Sequence, residues 1–266
     1  MRWLARGEHE MPSELDWLVP AERARLDMLR FTKRRTEYLL RRWTAKWAVA
    51  STVGWHDGSG DHGLATDSFA RILVGNHPTG APFVQVDGVP LGCDISISDR
   101  AGWAVAMVGS ASAGDRLDAI GIDLEIVEPR SDGFVEDYLT APERDAVRAL
   151  PTRGDQDGAA NLFWSAKEAA LKVLRTGLRA DTRTVEVSLL EGYTATPARD
   201  DGWSPLEVRH TPSGRVFTGW WRRDGVFLLT IAAEQPLTTP PAMLAHTADL
   251  RGAVPTHSWL TNPRAW

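Results

Sequence analysis

The run Gly121-Ile122-Asp123-Leu124-Glu125-Ile126 is the tightest constraint this chain places on its own fold. Side chains alternate along a strand, so Asp123 and Glu125 share one face while Ile122, Leu124 and Ile126 share the other and need a core. Aspartate is a poor strand former, and two like charges at this spacing repel. A hard cation such as Mg²⁺ offsets that cost, because it takes oxygen ligands and keeps waters and a substrate phosphate in its shell. The alternative is a solvated edge strand that exposes two acids.

A second segment narrows the choice. On a helical wheel, Leu162, Phe163, Ala166, Ala169, Ala170, Val173 and Leu174 form one apolar stripe. Trp164, Glu168 and Lys172 stand together on another face, at i, i+4 and i+8. A tryptophan off the core stripe predicts that something covers this face. Alone, Glu168 and Lys172 read as an ordinary helix-surface ion pair. With Asp123 and Glu125 they become three carboxylates and a lysine, a set suited to phosphoryl chemistry: acids hold a metal, and the lysine neutralises phosphate oxygens.

The rest of the chain divides around this centre. Residues 20–53 read as a helical region, with Phe31, Tyr38, Leu39, Trp43, Trp47 and Ala50 at helical spacing and Pro20 at its start. Residues 54–63 read as a Gly/Asp loop and 111–118 as a turn or linker. Strands are predicted over 70–74, 82–86, 95–98, 103–109, 119–127, 185–190, 206–208, 216–221 and 226–232. Helices are predicted over 132–150 and 159–175, separated by a loop at 151–158, with Gly177 as the second helix's stop. The expected class is α+β: an N-terminal lobe over 1–118, a C-terminal lobe over 119–235 and a tail or wrapping arm over 236–266.

Composition excludes several alternatives. The net charge of −5 argues against a general nucleic-acid binder. A single cysteine, Cys93, cannot close an internal disulfide and reads as a small buried residue. The N-terminal residues are broken by charges and lack a signal-peptide apolar stretch, and no apolar run is long enough to span a bilayer. The expectation is a soluble cytoplasmic monomer.

Gly-Ile-Asp-Leu-Glu at 121–125 and Trp-Ser-Ala-Lys-Glu-Ala-Ala-Leu-Lys at 164–172 resemble the two signature motifs of 4′-phosphopantetheinyl transferases. The family patterns are G-(I/V)-D-x-E and (F/W)-(S/C/T)-x-K-E-(A/S)-x-x-K, in that order. Residues 134–143 resemble the segment between the motifs, Thr79-Gly80-Ala81-Pro82 the family's Gly-Lys-Pro segment, and Asp94-Ile95-Ser96-Ile97-Ser98 its Asn-(I/V)-Ser-His-Ser/Thr motif. The chain departs from the pattern at Ala81 and Ile97, where relatives carry lysine and histidine beside the coenzyme A phosphates. The length resembles the single-chain Sfp type.

That resemblance implies two similar α/β lobes related by a pseudo-two-fold, with the active site between them. It implies Mg²⁺-dependent transfer of phosphopantetheine from coenzyme A to a serine of an acyl or peptidyl carrier protein, with no nucleic-acid or membrane partner. Asp123, Glu125 and Glu168 would hold the metal. Lys172 would stabilise the departing phosphate, and Glu168, or Glu143 through water, would act as base. Ser96, Arg34, Arg35, Arg42 and Lys167 would bind coenzyme A. The basic segment from Lys33 to Lys46 reads either as a solvated helix face or as a phosphate cradle that also attracts an acidic carrier. The competing readings are a metal-dependent phosphodiesterase and a degenerate, non-catalytic member that only binds.

Overall fold

Arg2–Gly7 alternates too weakly to be read as a strand from sequence, yet it forms β1 and is buried along nearly its whole length. The structure, a computed structural model, describes residues 1–55, 66–110, 118–195, 201–245, 247–257 and 260. Most of the loop expected at 54–63 and of the linker at 111–118 lies outside the described residues.

In chain order, α1 (Pro20–Asp27) and α2 (Thr32–Val53) follow β1. Then come β2 (Ile72–Asn76), β3 (Pro82–Val86), β4 (Val89–Pro90), β5 (Cys93–Arg100), β6 (Trp103–Ser110) and β7 (Ile120–Ile126). Next are α3 (Asp132–Tyr138), α4 (Ala141–Arg148), α5 (Arg153–Val173), β8 (Val185–Leu189), β9 (Trp203–His210), β10 (Arg215–Asp224), β11 (Phe227–Ala233) and β12 (Ala242–Met243). The chain is thus α+β, with five α-helices among the described residues. None of them is long and apolar enough to cross a membrane.

Four expectations need correction. The helix expected over 20–53 is two helices, because Arg35 turns back to donate to the carbonyls of Leu26 and Leu29 and so closes α1. The stretch 132–150 is likewise broken, with Thr140 opening α4 as its N-cap. The loop expected at 151–158 is mostly the first turns of α5, which starts at a Thr152 N-cap that accepts from the Asp155 amide. That helix ends at Val173, short of Gly177, and Arg175 takes the left-handed conformation beyond it (φ 57°).

The chain divides into two compact units. Unit 1 comprises Met1–Leu117, Pro241–Asp249 and Pro255–Trp266; unit 2 comprises Asp118–Pro240 and Leu250–Val254. Unit 1 holds a four-stranded sheet ordered β12-β1-β6-β5 and a three-stranded sheet ordered β2-β3-β4. Strand β12 runs parallel to β1 with Ala242 opposite Arg2, so part of the tail is an edge strand, and Leu244 just after it is buried in the core. Helix α2 packs on β1, β5 and β6 and buries Tyr38, Leu39, Trp43 and Val49. Cys93 is half-buried, and burial together with neighbouring Asp94 pushes its thiol up to about 11, so it is inert at neutral pH.

Unit 1 also encloses an ion pair. Lys46 on α2 is fully buried and meets Glu22 of α1 at 2.6 Å. Its ammonium also donates to the carbonyls of Trp17 and Phe69. Glu22 accepts the Val19 and Val74 amides. A lone charge at that depth costs several kcal/mol, and here each charge is met by its partner and by backbone groups.

Unit 2 is one antiparallel sheet ordered β7-β11-β10-β9-β8, with α5 lying across β7 and β11. The apolar stripe of α5 faces this sheet, with Leu162, Ala166, Ala169 and Ala170 fully enclosed. Gly121 sets how close the helix comes: a Cβ there would stand 1.9 Å from the Ala169 carbonyl oxygen. Any side chain at Gly121 would push α5 away from β7, and those two elements carry the acids.

Candidate active site

Strand β7 is buried on both sides, with Ile122 and Leu124 in the core and Asp123 only 4% exposed on the face toward α5. The same-face placement of Asp123 and Glu125 read from the alternation is what their partners on α5 require. The Ser165 hydroxyl donates to Asp123 Oδ2 at 2.8 Å and also meets the Thr230 hydroxyl of β11. The Lys172 ammonium donates to Asp123 Oδ1 at 2.8 Å and to the Ile122 carbonyl at 2.8 Å. The Trp164 indole N–H donates to Glu125 Oε1 at 3.1 Å. Trp164 is covered, as its place on the wheel predicts: it stacks edge-on with Phe134 and Tyr138 of α3.

Glu168 lies on the same helix face between Trp164 and Lys172. Its carboxyl is raised to about 7, chiefly by burial, then by the charge on Asp123, with Glu125 adding and Lys172 opposing. The three carboxylates therefore share one electrostatic neighbourhood. Among the described residues, Lys172 and Arg130 reach into it, Arg130 standing 3.6 Å from Glu125 and 3.2 Å from Glu128. Sequence reasoning missed Arg130, Ser165 and Thr230. Ser165 had a signal, as the hydroxyl position of the W-S-x-K-E pattern. Arg130 had none, because Asn161, which accepts from its Nε at 2.7 Å, is distant in sequence.

The donor chemistry suits a hard divalent cation, since all three acids offer oxygen and Glu168's value, raised first by burial and then by the charges on Asp123 and Glu125, is one that a nearby cation would lower. Among the described residues, however, no three acid, imidazole or thiol groups converge on one point. The Asp123 oxygens face Lys172 and Ser165 instead.

Two residues expected at the site are built into the interior. Lys167 is fully buried, and its three protons go to Glu143 at 2.9 Å and to the carbonyls of Thr182 and Val185. Glu143 is 1% exposed and its two oxygens accept the amides of Thr140 and Val187. Lys167 therefore has no proton left for a phosphate, and Glu143 no access to a substrate hydroxyl. The reason is positional: Lys167 follows Ala166 on the core side of α5, and Glu143 is the third residue of α4, where it caps the helix.

The unit 1 residues expected to bind coenzyme A are spread out. Arg34 is exposed, 3.4 Å from Glu37. Arg35 closes α1. Arg42 is buried, stacked on the Tyr38 ring and bonded to Asn76 Oδ1 at 2.6 Å, which steadies the β2–β3 turn. Ser96 is 3% exposed on β5, and Ile97 beside it packs on the unit 1 core.

A family model described as the 4′-phosphopantetheinyl transferase superfamily matches residues 119–222, wholly inside unit 2 and across every residue of the carboxylate site except Thr230. No curated protein matches the chain. The matched segment is thus similar to that superfamily, whose members are transferases.

Proposed function

We propose that the chain transfers 4′-phosphopantetheine from coenzyme A to a serine of an acyl or peptidyl carrier protein, in a Mg²⁺-dependent reaction that releases adenosine 3′,5′-bisphosphate. The observation that carries this reading is the gathering of Asp123, Glu125, Glu168 and Lys172 between β7 and α5, inside the segment that matches the family. Asp123, Glu125 and Glu168 would hold the cation, which supplies charge neutralisation for the substrate diphosphate. The carrier serine oxygen forms a bond to the phosphorus bearing the pantetheine arm as the bond to the adenosine bisphosphate breaks. Glu168, on the α5 face beside Asp123 and Glu125, is the carboxylate suited to take the serine proton. Lys172 neutralises charge on the departing phosphate. The exposed basic residues Arg30, just before α2, and Lys33 and Arg34 in its first turn are suited to attract an acidic carrier.

The test is to mix the chain with coenzyme A and Mg²⁺, with and without apo carrier protein, and to measure adenosine 3′,5′-bisphosphate by chromatography. Release is expected only when carrier is present. Equal release without carrier, or cleavage of added nucleic acid, would identify a phosphodiesterase instead.

A further inference from the structure

The Lys172 side chain stands where a metal-binding carboxylate would need to be open. Asp123 is buried, so an uncompensated charge there would be costly. Both of its oxygens are engaged by donors of the chain itself, Oδ2 by Ser165 and Oδ1 by Lys172, each at 2.8 Å. Lys172 is anchored a second time by the Ile122 carbonyl, yet its side chain remains about a quarter exposed, so the ammonium has a route outward. Among the described residues no three candidate ligands close on one point. The neighbouring cation, Arg130, is held off Asp123: it stands 3.6 Å from Glu125, 3.2 Å from Glu128 and donates to Asn161.

We propose that Lys172 is a resident cation for this site: its ammonium and a divalent cation compete for Asp123, so loading the site detaches Lys172 from β7 and frees it. The competition follows from the Asp123 contacts alone. What the freed ammonium then meets, a substrate phosphate, rests on the transferase reading above. On this account one lysine neutralises Asp123 in the metal-free protein and is released for phosphate only once a divalent cation is in place, so charge at the site stays balanced throughout. A purely structural lysine, tying α5 to β7, would stay on Asp123 in both states.

The test uses the full chain and Mg²⁺ or Mn²⁺ alone, with two readouts. In the first, lysine residues of the wild-type protein are labelled with an amine-reactive reagent and located by peptide mass. Labelling of Lys172 is expected to rise several-fold on addition of the cation, while the buried Lys46 and Lys167 stay protected in both states. Asp123→Asn is expected to abolish the response to cation. In the second, calorimetric titration compares wild type with Lys172→Met and Arg130→Met. Lys172→Met is expected to bind the cation about tenfold tighter or more, and Arg130→Met to gain clearly less, since Lys172 holds the buried Asp123 at 2.8 Å whereas Arg130 meets Glu125 only at 3.6 Å. Unchanged Lys172 labelling, or equal gains in the two variants, overturns the proposal. Unchanged labelling alongside Mg²⁺-dependent carrier modification would remove the competition and leave the transferase reading standing. Cation-driven exposure of Lys172 with no carrier modified would do the reverse. Absence of cation binding in every variant overturns both.

Discussion

Lys167→Met is expected to cost about 3–5 kcal/mol of folding stability. The substitution keeps the volume and the unbranched stem of the side chain, so packing changes little. What it removes is the partner of Glu143 at 2.9 Å and the donor to the Thr182 and Val185 carbonyls, all of them enclosed. Glu143 is then left as a buried carboxylate with only the two backbone amides for company. Adding Glu143→Gln should recover part of the loss by removing the unpaired charge. Recovery stays incomplete because the two carboxylate oxygens serve two amides and a glutamine has only one oxygen. Lys46→Met is expected to behave alike in unit 1, where Lys46 meets Glu22 at 2.6 Å and each residue is closed off from water. Urea unfolding followed by tryptophan fluorescence measures both. A loss below about 1 kcal/mol for either variant would show that the pair is hydrated in solution.

Glu168→Gln is expected to abolish transfer and, at the same time, to stabilise the metal-free protein above neutral pH. The Glu168 carboxyl stands at about 7 in the fold against an ordinary 4.5. Between those values the folded state binds more protons than the unfolded one, so this group lowers stability as pH rises through the window and costs most above pH 7. The full shift corresponds to about 3 kcal/mol, and partial exposure reduces it, so a gain of about 1–3 kcal/mol is expected for the variant at pH 8. The gain should shrink through pH 5 and vanish by about pH 3.5, below the ordinary 4.5, where the carboxyl is protonated in both the folded and the unfolded chain and the two side chains are near-isosteres. Denaturation curves at the two pH values read the stability effect. A gain independent of pH would remove the electrostatic explanation, and near-normal turnover would show that Glu168 lies outside the chemistry.

The two variants separate what local pattern reveals from what it hides. The alternation at 121–126 placed Asp123 and Glu125 together, and the helical wheel placed Trp164, Glu168 and Lys172 together, because both periods are fixed by backbone geometry. The covering of Trp164 was legible for the same reason. Lys167 was misread because the choice between core and surface for a lysine depends on a partner 24 residues earlier, Glu143, which no periodicity reports. A weaker signal did exist. Thr140-Ala-Pro-Glu143 has the spacing of a helix capping box, which marks Glu143 as already engaged. Trp43-Thr-Ala-Lys46 also repeats Trp164-Ser-Ala-Lys167, each lysine 24 residues beyond its buried glutamate. Two lysines in the same local setting point to a shared structural task. In the basic segment, Arg35 and Arg42 were read from charge and from the family resemblance, whereas the turn after α1 and the β2–β3 turn claim them through carbonyl and amide oxygens brought close only by folding.

The most direct measurement is the intact mass of an apo carrier protein after incubation with the chain, coenzyme A and Mg²⁺, with Asp123→Asn run in parallel. A gain of one phosphopantetheine on a carrier serine is expected with the wild-type chain and none with the variant. An unchanged carrier mass with the folded wild-type chain, across both acyl and peptidyl carriers, would contradict the assignment.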